Sequence, residues 1–578
     1  MDKKEAAKVL EKIALMMELK GENTFKVRAY QKGARSLETL EGSLEELIAE
    51  NELKKVPGIG QALREKIIEL VETGELQYYE DLKREFPETL FDLFRVQGLG
   101  PKKVKVLYEE LEIETLGELE YACLENRLAE LKGFGKKTQE KILLGIENLK
   151  KYRGKYLVST GISVLEELRE YFSGNEKILR FSEAGSLRRR KEVIKDVDIL
   201  AAVKETDRKD AAEFFAAFEK VEEIIAKGET KISVRLKSGI NVDLRLVTEE
   251  EFPFALHHFT GSKDHNTKMR QIAKEKGLKM NEYGIFHKDK PISAKTEAEI
   301  FNLMGLSMIP PELREDQGEI EAAAENKLPD LVEQKDLKGL FHIHSHYSDG
   351  VNTIEEIIQE AADQGFQYIG ISDHSQTAYY ANGLKPEDVE KQHREIDQLR
   401  EKYPQIKILK GIESDILNNG DLDYDPEVLK KFDYIIASLH SNLKMDKERM
   451  TERLVGAIQN PHTKILGHMT GRLLLSRDGC DFDEEQVFAA LKEHHVAVEI
   501  NSNPHRLDLD WRKCKVAKSM GIPITIDPDA HIVSGFQDIK YGVGIARKGW
   551  IEKEDVINAK DFSDLVAIWD LKQGFDGK

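Results

Sequence analysis

The chain has 578 residues, 40% hydrophobic and 33% charged, with a formal net charge of −19, a length that fits about four domains. Its N-terminus is charged and no apolar run nears the roughly 20 residues of a membrane helix, which predicts a cytoplasmic, nucleoid-associated chain with no signal peptide and no membrane partner. Three distant cysteines, Cys123, Cys480 and Cys514, exclude a disulfide framework and CxxC zinc sites.

The acid is unevenly spread. Residues 1–150 balance at −5, 151–318 at +1 and 319–578 at −15, so the total does not exclude nucleic acid as a partner of the first 318 residues. Residues 1–150 read as helical, with apolar spacing near 3.6 and short glycine-containing breaks. One pattern recurs there three times: VPGIGQALREKI (56–67), VQGLGPKKVKVL (96–107) and LKGFGKKTQEKI (131–142). Gly58 and Gly60, Gly98 and Gly100, and Gly133 and Gly135 permit a tight turn with φ > 0 before each helix. Free N–H groups at a helix start form a phosphate site, and Lys102, Lys103, Lys136 and Lys137 add positive charge beside two of them. These segments resemble helix-hairpin-helix motifs, which hold DNA backbone without reading sequence.

From about residue 151 strands alternate with helices. ILRFSEAG (178–185), VDILAAV (197–203), ISVRLKS (232–238) and INVDLRLV (240–247) read as strands, and 207–221 as a helix. In AGSLRRRKEVIKDVDIL (184–200), Gly185 and Ser186 open toward Arg188, Arg189 and Arg190. Asp196 and Asp198, two apart on one strand, share a face, and Asp243 lies on another predicted strand. Three neighbouring carboxylates repel unless cations neutralise them. Hard oxygen donors suit Mg²⁺, and two such ions stabilise the attacking and leaving oxygens of an in-line phosphoryl displacement. This constellation resembles the nucleotidyltransferase superfamily.

The following stretch, HHFTGSKDHNTKMRQIAKEKGLKMNEYGIF (257–286), is similar to the C-terminal subdomain of family X DNA polymerases, the group of DNA polymerase beta. The resemblance spans about residues 1–318. It implies a 5′-end-binding, lyase-like helical domain over 1–85, fingers over 86–150, a palm over 151–256 and a thumb over 257–318, acting as a monomer on gapped or primer-template DNA with dNTPs. It also implies that Asp196, Asp198 and Asp243 hold two Mg²⁺ or Mn²⁺ ions, Asp243 taking the primer 3′-hydroxyl proton. Gly185, Ser186 and Arg189 would hold the triphosphate, and Phe259, Gly261, Asn266 and Arg270 would line the nucleotide and template pocket. His258 stands where the family has a tyrosine at the sugar. Lys66 matches the family's Schiff-base lysine for removing 5′-deoxyribose phosphate, whereas its helper lysine four residues earlier is replaced by Ala62.

After MIPPEL (308–313) the chain turns acidic and polar, and 319–338 reads as a linker or peripheral helix. From Gly339 six short apolar strands (YIGIS, IKILKGIE, YIIASLH, KILGH, AVEIN, PITID) alternate with amphipathic helices, the rhythm of a largely parallel sheet or barrel. Histidines and carboxylates recur at the predicted strand ends, which converge on one face of a barrel, and together suit a multi-metal site of Zn²⁺, Mn²⁺ or Fe²⁺. The series resembles the PHP (polymerase and histidinol phosphatase) domain over 339–578, a distorted barrel with up to three ions. That resemblance implies nine ligands: His342, His344, Asp349, His374, Glu413, His440, His468, Asp529 and His531. His346, Asp373 and Asp527 match no ligand position.

The expectation is a multidomain chain: a helical N-terminal domain with helix-hairpin-helix motifs, an α/β nucleotidyltransferase palm with thumb, and a C-terminal distorted (β/α) PHP barrel. It would fill short gaps in DNA during base excision repair and process 3′ ends as a 3′–5′ exonuclease. Two alternatives stay open at this level: a PHP phosphoesterase on a DNA-binding platform without polymerase activity, and an inert DNA-end scaffold.

Overall fold

The computed structural model describes residues 3–38, 44–49, 52–56, 58–96, 98–128, 131, 133–150, 154–288 and 290–571. The chain divides into two compact units, residues 1–149 and 150–578. None of the described helices is long and apolar enough to cross a membrane.

The first unit is helical and has two apolar cores, one gathering Leu10, Ile13, Ile67 and Leu82, the other Leu90, Leu107, Leu119 and Ile142. The three glycine repeats build one recurrent turn. Ile59 N–H donates to Val56 O, Leu99 to Val96 and Phe134 to Leu131. In each, the first glycine takes φ between 92° and 96°, left-handed backbone that a side chain disfavours. Helices α1 (Gln61–Thr73), α2 (Pro101–Leu111) and α3 (Lys136–Lys150) follow directly. No side chain caps Gly60 or Gly100 at the starts of α1 and α2.

After a short strand (Tyr156–Leu157) and a helix (Val158–Ser173), the second unit forms a five-stranded sheet of β1 (Arg180–Glu183), β2 (Asp196–Ala202), β3 (Val221–Lys227), β4 (Lys231–Leu236) and β5 (Asn241–Val247), in the order β1-β2-β5-β4-β3. The helix expected over 207–221 stops earlier: Arg208–Ala216 is helical, and the chain then enters β3. Strand β3 escapes the sequence pattern because it is the sheet edge, and Glu222–Lys227 are exposed. Without one buried face it has no period-2 signal. Helix α4 (Lys263–Glu275) and a three-stranded antiparallel sheet follow in the thumb.

Residues 319–338, read as a linker or peripheral helix, begin with the helix Glu319–Ala324, whose Ile320 and Ala323 join the thumb core, and Val332 is fully buried. Their acidity misleads because Glu319 is itself buried, paired with His265 and accepting the Asp316 and Gln317 N–H groups. A buried carboxylate satisfied in this way is structural.

The C-terminal part is a parallel sheet of seven strands rather than six. They are β6 (Gly339–Leu340), β7 (Tyr368–Ile371), β8 (Lys407–Asp415), β9 (Tyr434–Ser438), β10 (Thr463–Leu466), β11 (Ala497–Asn501) and β12 (Ile524–Asp527), paired in chain order. The unexpected strand, β6, is only two residues long. A parallel bridge between Ile343 and Ala530 joins the first and last strands beyond their ends, which curls the sheet into a barrel. Phe341, Tyr368 and Tyr434 pack with Trp569 of the C-terminal helix Phe562–Trp569 in one apolar cluster.

Candidate active sites

Two sites emerge in the second unit. At the first, Asp196 and Asp198 lie on β2, and pairing register sets Asp198 opposite Asp243 on the parallel neighbour β5. Burial, then Asp196 and Asp243, push the Asp198 carboxyl up to about 6. Asp196 is also raised, by burial and then by Asp243. Burial and like charges thus disfavour the ionised forms of Asp196 and Asp198. Lys231 on β4 meets Asp243 at 2.6 Å, a partner that the sequence spacing did not single out.

Beside the aspartates lies a pocket of about 430 Å³ lined by Gly185, Ser186, Arg189, Asp198, His258, Phe259, Gly261, Lys263, Asn266 and Arg270. All eight residues expected to meet the nucleotide therefore share one cavity, joined by Lys263. Gly185 has φ +58°, and a Cβ there would stand 2.1 Å from Asp198 Oδ2, so only glycine lets the turn approach the carboxylate. Of the three arginines, Arg188 is occupied by Glu297 (2.5 Å) and Thr260 Oγ1 (2.6 Å), and Arg190 pairs with Glu183. Arg189 alone of the three lines the pocket. Asn266 Nδ2 donates to His258 O at 2.7 Å. Burial lowers the His258 imidazole below its ordinary value.

At the second site, the nine residues expected as ligands gather on the face formed by the carboxyl ends of the barrel strands. Four overlapping groups have ligand atoms within 4.8 Å of one another: His344, Asp349, His374 and His531; His342, Glu413 and His468; His342, His344 and Asp529; His374, Glu413 and His440. Both ring nitrogens of His344 and Nδ1 of His468 are buried without a hydrogen bond among the described residues. Buried polar atoms are ordinarily satisfied, so this donor set fits metal ions. His342 and Asp529 hold φ of 52° and 51°, strained backbone of the kind that collects at functional sites.

Electrostatics agree with that fit for the carboxylates and for two of the imidazoles. Burial works against ionised Asp349, Glu413 and Asp529, yet the imidazoles around them hold all three well below the carboxylate range. Burial pushes His344 down to about 4 and His468 to about 3, helped by His531 and by Arg506 respectively. Burial works against charged His342, His374 and His440, yet the carboxylates they face raise all three. Because neutral imidazoles and ionised carboxylates are the forms that bind metals, ions entering here would displace protons from those rings.

Family models match along the chain: a helix-hairpin-helix domain at residues 1–76, a SAM-like helix-hairpin-helix tandem at 90–148, the DNA polymerase beta thumb at 255–315 and the PHP domain at 341–503. The DNA polymerase/3′–5′ exonuclease PolX of Bacillus subtilis (strain 168) is 40% identical over 573 residues, covering 98% of this chain and 99% of that protein. The chain belongs to the PolX family. A probable phosphatase of Thermoanaerobacter sp. (strain X514) is 30% identical over 244 residues, 38% of this chain and 91% of that protein. Among solved structures, polymerase beta of Leishmania infantum in a ternary P/T complex is 23% identical, covering 39% of this chain and 98% of that one, with a TM-score of 0.27.

In this PolX-family chain a second layer of residues, absent from the sequence reading, orients the barrel donors. Glu499 on β11 accepts from His342 Nδ1 at 2.5 Å and from His468 N–H at 2.6 Å. Asp415 on β8 pairs with His440 Nδ1, and Asn501 Nδ2 donates to Asp529 at 2.9 Å. Such partners fix imidazole tautomer and direction. A signal existed: Glu499 is a lone acid in the buried strand AVEIN, and Asp415 sits two residues after Glu413, hence on its face. None of the three residues set aside is a member of those donor groups. His346 is exposed, Asp373 accepts from Ser345, Ser348 and Gln392, and Asp527 accepts the Phe341 N–H.

Lys66 lies on α1 with Nζ 4.2 Å from the centre of the Tyr78 ring. Lys102, Lys103 and Lys136 stand in the first turns of α2 and α3.

Proposed function

We propose that this chain is a DNA-directed DNA polymerase of family X that fills short gaps during DNA repair, with a PHP barrel that removes nucleotides from 3′ ends. The observation that carries the reading is the pairing of Asp198 with Asp243 across β2 and β5, beside a pocket holding Ser186 and Arg189. Divalent ions, Mg²⁺ or Mn²⁺, would be held by Asp196, Asp198 and Asp243 and would neutralise the triphosphate. Asp243 accepts the primer 3′-hydroxyl proton. Arg189 and the Ser186 hydroxyl donate to the triphosphate, Phe259 and Asn266 position sugar and base, and Arg270 faces the template. The hairpin turns at Gly58–Gly60, Gly98–Gly100 and Gly133–Gly135 hold DNA backbone through helix N–H groups and lysines.

In the barrel, up to three Mn²⁺, Zn²⁺ or Fe²⁺ ions would supply Lewis acidity for phosphoester hydrolysis. The nine donors would hold them, and Glu499, Asp415 and Asn501 fix the donors. Unfilled gaps and 3′ ends are the substrates, and the chain works as a monomer.

One preparation, assayed for dNTP incorporation at a one-nucleotide gap and for nucleotide release from a 3′ end with metals varied, tests both halves. Incorporation that is absent with Mg²⁺ and with Mn²⁺ would leave only the phosphoesterase. Release that survives His342→Ala would remove the barrel from the reaction.

A further inference from the structure

The barrel reaches into the nucleotide site of the palm. Helix α5 (Ile539–Lys548) belongs to the C-terminal part and ends on Lys548, whose ammonium is fully buried. Nζ lies 2.6 Å from Glu315 Oε1, 3.2 Å from the backbone oxygen of Arg189 and 3.3 Å from that of Glu312. The same Glu315 oxygen accepts from Arg189 Nε at 3.0 Å, and Arg189 Nη1 donates to Thr260 O. A side chain of the hydrolytic domain therefore grips both the backbone and, through one carboxylate, the guanidinium of the arginine that lines the nucleotide pocket. The same turn is approached twice more: a Cβ on Gly544 of α5 would stand 3.4 Å from Arg190, and Arg472 lies 3.8 Å from Glu192.

We propose that Lys548 is a positioning residue for nucleotidyl transfer, setting Arg189 through Glu315 to receive the triphosphate. The inference rests on the reading of Arg189 as a triphosphate-holding residue. Its physical basis is the division of charge. Glu315 faces three cations, Arg189, Lys191 (3.5 Å) and Lys548. Because Lys548 takes up part of the carboxylate's charge, Arg189 keeps positive potential for phosphate while its Nε stays anchored. Burying a lysine costs stability unless it is paired, and here it also lies 4.6 Å from the centre of the Trp511 ring. Burial pulls Lys548 down to about 8 against the attraction of Glu315, so the charge is retained at neutral pH.

The test is steady-state incorporation at a one-nucleotide gap, with 3′-end hydrolysis measured on the same preparation. Lys548→Met should raise the dNTP KM roughly tenfold, the scale of one hydrogen bond to a charged group, with kcat little changed and 3′ hydrolysis unaltered. Lys548→Arg should restore the KM. In an Arg189→Ala background Lys548→Met should add nothing, because the two act as one unit. A dNTP KM in Lys548→Met equal to wild type, while Arg189→Ala raises it, overturns the inference alone. If Arg189→Ala leaves the KM unchanged, the triphosphate reading fails first and the inference with it. Should Lys548→Met lose 3′ hydrolysis as well, its fold has failed and Glu315→Gln decides: a raised dNTP KM with 3′ hydrolysis intact supports the inference, and an unchanged KM overturns it.

Discussion

A carboxylate that is difficult to ionise is the clearest single-residue marker in this protein. Asp198 has its carboxyl at about 6 through burial and two like charges, above the ordinary 3.8. A raised acid binds protons more readily in the fold, so its ionisation above about pH 6 costs stability, and a cation relieves that cost. Metal affinity at this site should therefore fall as pH drops through 6, which calorimetric Mn²⁺ titration of the His342→Ala variant at pH 5.5 and 7.5 would measure. Asp198→Asn should raise the melting free energy of the chelated protein by about 1–2 kcal/mol while abolishing incorporation. An unchanged melting curve would mean that the carboxylate is better solvated than its neighbours indicate. Lys66→Ala should reduce borohydride trapping on a 5′-deoxyribose phosphate end; undiminished trapping would move that role to another amine.

Elements, rather than residues, decide how the sites are held. The carboxyl ends of the barrel strands bring nine donors together from six separate stretches, and β11 adds Glu499 beneath two of them. Glu499→Gln should weaken metal binding in the barrel by about 10–100-fold, read by metal content after dialysis, with gap filling retained. In the helical unit, α2 and α3 each begin at a glycine turn with a lysine beside it. Lys102→Ala and Lys136→Ala should each lower DNA affinity evenly across sequences and reduce the salt slope by about one. A change confined to one sequence would contradict backbone contact. Strand β3 and the segment 319–338 show where periodicity fails: an exposed edge carries no alternating face, and a buried, paired glutamate reads as a solvated one.

At the scale of the whole molecule two reactions share one compact unit. Their carboxylate and histidine sets use different strands, so Asp198→Ala should remove incorporation by three or more orders of magnitude, the equivalent of about 4 kcal/mol, and spare 3′ hydrolysis. His342→Ala should do the reverse. Equal loss of both activities in either variant would contradict two independent centres. The Lys548 contact adds a link of position between them without merging their chemistry.

Much of this was legible in the sequence because chemistry-bearing residues recur at spacings that only one geometry uses. Gly-x-Gly before a helix, two aspartates two residues apart on a strand, and histidines at successive strand ends each fix a local structure, and local structure fixes which side chains can meet. What the tertiary structure alone decided is which buried acids serve as supports, and that a lysine more than 350 residues from Arg189 touches it. Those facts depend on packing between distant segments, and no periodicity within either segment encodes them.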